Sequence, residues 1–178
     1  MTSTAVRRKR ILAAAVLTAL VAGCASMGMS KPTAVASLEP TKGNSAKGSV
    51  SFTQEGDVVH VNANLSGLKP GGEHGFHIHE KGDCSSGDGM STGGHFNPAG
   101  HSHGPQSGEH HAGDMPSLTA DSYGNAKASF DLKGLSIGAG ASDIVGRGLI
   151  VHRDPDDLKT QPTGNAGPRI ACAVIRKS

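Results

Sequence analysis

Residues 57–65 read DVVHVNANL, and their alternation decides the fold class. In an extended chain Val59, Val61, Ala63 and Leu65 share one face, while Val58, His60, Asn62 and Asn64 share the other. One apolar and one wet face are the mark of an antiparallel strand packed on a core from one side. His60, on the wetter face, reads as an exposed strand histidine. Toward the N-terminus, residues 48–54 and 33–38 are predicted to be strands. Toward the C-terminus, Leu68-Lys69-Pro70-Gly71-Gly72 is a turn, and the strand after it carries Gly75-Phe76-His77-Ile78-His79-Glu80. Further strands are expected over residues 117–121, 125–132, 144–152 and 169–175, with 134–141 as a glycine-rich crossing. About eight strands, no helical period and several long loops predict an all-β antiparallel Greek-key sandwich or barrel. Its core must come from Val, Ile, Leu and Ala, enlarged only by Phe52, Phe76, Phe96, Phe130 and Tyr123.

Between two of these strands lies a different kind of sequence. Residues 93–114, GGHFNPAGHSHGPQSGEHHAGD, hold His95, His101, His103, His110 and His111, five of the chain's 10 histidines, and close on Asp114. Gly, Pro, Asn and Ser fill the gaps and Phe96 is the one sizeable apolar anchor, so this is a long loop. Apolar burial is too little to fix it; imidazoles with a carboxylate suit a metal such as zinc. On the strand before it, His77 and His79 are two apart, so their rings project from one face. With His95, and with His152 near the end of another strand (GLIVHRD), they make an all-nitrogen set that favours copper(II). His103, His111 and Asp114 remain for zinc, although His101 competes with His103 and His110 with His111.

The N-terminus is an export signal by its pattern. Arg7, Arg8, Lys9 and Arg10 precede an apolar run from Ile11 to Ala22, too short for a spanning helix. Its end, LVAGC at 20–24, resembles a bacterial lipobox; the resemblance implies cleavage after Gly23 and a lipid on Cys24. Residues 1–23 are then the signal peptide, 24–34 a lipidated tether and 35–178 the domain. Loss of 1–23 removes four of the 17 basic residues and none of the 15 acidic ones, which turns the formal charge from +2 to −2. The positive charge belongs to the signal, and a nucleic-acid partner has no support. In an oxidising compartment the remaining Cys84 and Cys172 read as one disulfide.

The motifs GFHIHE (75–80), GGHFNP (93–98), HG (103–104), HAGD (111–114), LIVH (149–152), DD (156–157) and GNAGPRIACAVI (164–175) together resemble the copper/zinc superoxide dismutases, in their exported bacterial branch. The resemblance spans residues from about 35 to 178. It implies an eight-stranded, immunoglobulin-like Greek-key barrel or sandwich with long metal-binding and electrostatic loops. It further implies copper on His77, His79, His95 and His152, and zinc on His95, His103, His111 and Asp114, the His95 ring being shared. Asp156 would link His77 to His103, Cys84 and Cys172 would form the disulfide, and Arg169 would attract and orient the superoxide anion. His95 would also carry a proton during turnover. The loop LKTQPT (158–163) lacks the charged run of animal relatives, leaving Lys81, Arg153 and Lys159 as candidates for steering. These features imply a membrane-anchored, periplasm-facing lipoprotein of the bacterial envelope, as monomer or homodimer. A second reading, a metal-storage lipoprotein on the same fold, would bind copper without turning superoxide over.

Overall fold

The expected alternation is realised in strand β3, Val58–Ser66, where Val59, Val61, Ala63 and Leu65 are buried and Asn62 and Asn64 exposed. The computed structural model describes residues 1–2 and 30–178; the lipobox and Cys24 lie outside the described residues. Strand β1, Thr33–Pro40, begins inside the stretch assigned to the tether, and β2 is Lys47–Glu55. β2 turns into β3 through Gly56 and Asp57, with Gly56 at φ 63, the positive φ that a two-residue hairpin asks of its first residue.

From Ser66 the chain passes through the Pro70–Gly71 turn to β4, Glu73–His74, and β5, Phe76–His79. After the histidine loop come β6, Leu118–Thr119, and β7, Ala126–Lys133; then β8, Gly148–His152, β9, Arg169–Val174, and β10, Arg176–Lys177. Eight strands form one curled antiparallel sheet in the order β5-β8-β9-β1-β2-β3-β7, with β10 on β1, while β4 and β6 make a separate ribbon. β1 is the fold's corner: residues Thr33 to Leu38 pair with β2, whereas Glu39 and Pro40 pair with β9. The crossings β3 to β5 and β7 to β8 are of the Greek-key kind.

Three expectations need correction. Tyr123 adds nothing to the core, being 85% exposed at the tip of a turn, where Asp121 Oδ1 accepts from its N–H at 2.8 Å. The strand expected over 117–121 shrinks to Leu118–Thr119, because the strand it pairs with among the described residues, β4, is two residues long. The strand expected from Ile144 begins at Gly148 instead. Gly146 takes φ 81, and Ile144 is buried from a loop.

Phe52 and Phe76 are fully buried and Phe96 nearly so, but alanines (Ala34, Ala36, Ala63, Ala171, Ala173) make up much of the remainder. A core so rich in small side chains contributes little per residue. The Cys84–Cys172 disulfide closes a separation of 88 residues, which constrains the unfolded chain by about 4–5 kcal/mol in the chain-entropy account. Against a usual net stability of about 5–15 kcal/mol that is a large share. The bond also ties the loop beginning at Cys84 to β9, whose first residue is Arg169.

Candidate metal centre

β5 lies at one end of the sheet, with β8 on one side and the histidine loop on the other. Ile78 N–H donates to Gly113 O at 2.9 Å, and Ile78 O accepts from Phe96 N–H at 2.8 Å. Isolated bridges set His77 opposite Asp114 and His79 opposite His95. Gly113 has to be glycine here, since a Cβ would stand 2.2 Å from Ile78 O. The loop is therefore held by backbone hydrogen bonds and by buried Phe96 as well as by whatever its histidines bind. From the other side, β8 pairs Phe76 with Val151 and His77 with Ile150. A register shift between Val151 and His152 re-aims the His152 ring.

The result is two groups of four ligand-type residues, each with its ligand atoms mutually within 4.8 Å. His77, His79, His95 and His152 form the first; His95, His103, His111 and Asp114 form the second. All seven side chains are buried. The structure thus brings His103 and His111 into the second group, while His101 stays exposed and His110 is half-exposed, each with Nδ1 turned to a backbone carbonyl.

Four of the rings present one nitrogen inward because the other is already engaged. His79 Nδ1–H donates to Gly93 O at 3.0 Å and His152 Nδ1–H to Gly167 O at 3.0 Å. His77 Nε2–H donates to Asp156 Oδ2 at 2.7 Å and His103 Nε2–H to Asp156 Oδ1 at 2.9 Å, so this one carboxylate joins the two groups. What remains is His77 Nδ1, His79 Nε2, His95 Nε2 and His152 Nε2, four buried nitrogens with no hydrogen-bond partner among the described residues. Buried polar atoms rarely stay unpaired, and four converging lone pairs fit a metal ion. In the second group His103 Nδ1 is 3.0 Å and His111 Nδ1 3.4 Å from Asp114 oxygens without forming hydrogen bonds, and His95 Nδ1 is 2.7 Å from Asp114 Oδ1. Such spacings match the edges of a tetrahedron around a zinc-sized ion, about 3.3 Å for bonds of about 2.0 Å.

The electrostatics favour ligand states. Burial lowers His77 to about 4, despite its bond to Asp156, and burial with the neighbouring His77 lowers His152 to about 3. His79 is pushed well below the usual imidazole range, first by burial and then by His95 and Arg169. All three are neutral at pH 7, as ligation requires. Burial pushes the Asp114 carboxyl up, but the His95 hydrogen bond and the charges of His95 and His103 outweigh it and hold the group at about 2. Asp156 is held lower still for similar reasons, with help from Leu158 N–H. That N–H donates to Asp156 Oδ1 at 2.7 Å from a leucine at φ 59. A left-handed leucine costs roughly 1–2 kcal/mol, which this bond offsets. Gly164 must lack a side chain, because a Cβ there would overlap Asp156 Oδ1 and His103 Nε2.

Arg169 is half-buried at the start of β9, and its charge is felt at the His79 and His152 rings. Of the steering candidates, Arg153 is paired with Asp154 at 2.9 Å, so much of its charge is spent; Lys81 and Lys159 are exposed.

A family profile described as copper/zinc superoxide dismutase (SODC) matches residues 46–175. The chain belongs to the copper/zinc superoxide dismutase family. A relative from Paramecium bursaria Chlorella virus 1, named Superoxide dismutase [Cu-Zn], is 42% identical over 168 residues, covering 90% of this chain and 87% of that protein. The crystal structure of the clock protein EA4 superposes with a TM-score of 0.74 at 38% identity, covering 84% of this chain and 97% of that one. The barrel is accordingly the family's eight-stranded Greek-key fold, the metals of the dismutase are copper and zinc, and the chain is an enzyme.

One residue of the dismutase site has no counterpart in the sequence reading. Gln161 Oε1 accepts from His103 N–H at 2.8 Å and Gln161 Nε2 donates to His103 O at 2.8 Å, clamping the backbone of a second-group histidine from the loop after Asp156. A polar residue in an exposed loop gives no sign of this. Gln161→Ala is expected to weaken zinc binding about tenfold, read by chelator competition, while copper affinity is unchanged.

Proposed function

We propose that the dismutase disproportionates superoxide at copper held by His77, His79, His95 and His152, with zinc held by His95, His103, His111 and Asp114. The observation that carries this reading is the membership of one ring, His95, in both ligand groups. Copper bound there would alternate between Cu(II) and Cu(I), so that two superoxide anions and two protons become O₂ and hydrogen peroxide. The chain's own residues do the rest. Superoxide offers almost no shape to recognise, so binding must come from charge, and Arg169 supplies it beside the first group. His95 can hold a proton at Nε2, which has no hydrogen-bond partner among the described residues, while Nδ1 stays on the second group's side. Asp156 keeps His77 and His103 in fixed tautomers. Titrating the purified protein with copper while following superoxide consumption tests the reading: turnover should rise in proportion to copper bound. Stoichiometric binding without turnover would contradict it.

The export pattern supports an exported bacterial form that protects the cell envelope, anchored by a lipid on Cys24 and facing the periplasm. Cys24→Ser is expected to move the protein from membrane to soluble fractions. Unchanged membrane association in a fractionation blot would remove the anchor.

A further inference from the structure

Arg169 is held by a single short loop. Its Nη1 donates to Gly89 O at 2.6 Å and to Thr92 Oγ1 at 2.8 Å, and its Nη2 to Gly93 O at 2.7 Å. The 3₁₀ turn Met90–Thr92 places these acceptors side by side. Thr92 is fully buried, and its hydroxyl donates to Gly89 O at 2.9 Å, which turns the oxygen lone pairs toward the guanidinium. Every acceptor is neutral, and among the described residues no carboxylate lies within ion-pair distance of Arg169. A carboxylate would fix the side chain more firmly, but it would also cancel the charge an anion needs. A guanidinium has five N–H donors; three go to the loop, and the other two meet no acceptor among the described residues. Gly93 O also accepts from His79 Nδ1–H, so the same loop sets the arginine against the first ligand group.

We propose that Thr92 is a positioning residue, the one side chain that fixes the Arg169 guanidinium while leaving its charge for the incoming anion. This rests on Arg169 being the anion's contact, as proposed above. Thr92→Val removes the hydroxyl at nearly constant shape. Gly89 O keeps the Thr92 N–H donor at 3.2 Å and Arg169 Nη1, so the loop itself is not left with a bare carbonyl. Thr92→Ser keeps the hydroxyl.

The test uses the copper- and zinc-loaded protein and azide as the anion, titrated by absorption, with metal content and melting temperature alongside. Thr92→Val should weaken azide binding roughly fivefold, the scale of one ordinary hydrogen bond lost from the arginine's support. Thr92→Ser should stay within about twofold of wild type. In an Arg169→Ala background Thr92→Val should add nothing. An undiminished azide affinity in Thr92→Val, with Arg169→Ala weakened, would overturn the proposal and leave the role of Arg169 intact. So would an equal loss with and without the arginine, which marks a structural effect. No loss in Arg169→Ala would instead remove the reading of Arg169 and this proposal with it. If valine against the guanidinium prevents folding, Thr92→Ala gives the same comparison.

Discussion

Arg169→Ala is expected to lower kcat/KM for superoxide by roughly ten- to a hundredfold at low salt, the scale for removing one charged group aimed at a reacting anion. Its salt dependence should flatten at the same time, because an attraction that has been removed cannot be screened. Copper and zinc contents should remain near wild type. The hydrogen bonds explain why the loop can survive the change: Gly93 O keeps the His79 N–H, and Gly89 O keeps both the N–H and the hydroxyl of Thr92. The charge itself is not easily replaced. Arg153 is engaged with Asp154, and Lys81 and Lys159 sit on the exposed surface. Stopped-flow or pulse-radiolytic decay of superoxide across a salt series, with elemental analysis of the same samples, checks the prediction. Loss of copper in the variant would make Arg169 a structural residue.

Asp114→Ala should reduce zinc affinity by at least about a hundredfold, more than is usual for loss of a group that merely supports a ligand. Copper content should stay within reach of wild type. Asp114 is the only carboxylate in the second group, and its oxygens also accept from His111 N–H at 2.9 Å and Gly104 N–H at 3.3 Å. Its removal thus withdraws the charge that balances a cation and loosens the turn that presents His111. The first group has no share in that carboxylate except through His95. Asp114→Asn keeps the shape and one acceptor oxygen, so it separates the lost charge from the lost turn. Competitive chelation, read for each metal separately, decides the matter. Equal losses of both metals would contradict the division into two sites.

The strands of the sheet were legible where one face is wet, as in 57–65, because period-two alternation reports that geometry directly. β8 was harder to bound: Leu149, Ile150 and Val151 are all buried, and a run without alternation does not say where pairing begins. Tyr123 misled because an aromatic side chain says nothing of which side of a turn it occupies. The ligand types of the site could be read from His77 and His79 at strand spacing and from the density of histidine in 93–114. Their partition into copper and zinc sets followed from residue type and position, but the sharing of His95 between them depends on long-range pairing, β5 against β8 and Ile78 against Gly113 and Phe96, and entered only by family resemblance. Gln161 and Thr92 were silent for another reason. Each works by meeting a backbone group or side chain far along the chain, His103 or Arg169, and neither pairing leaves a local pattern.

Anomalous diffraction from crystals of the metal-loaded protein, recorded on either side of the copper and zinc absorption edges, addresses the shared ring most directly. The account predicts a copper peak beside His95 Nε2 among His77, His79 and His152, and a separate zinc peak beside His95 Nδ1 among His103, His111 and Asp114. A single peak, or two of which one leaves His95 untouched, would contradict it.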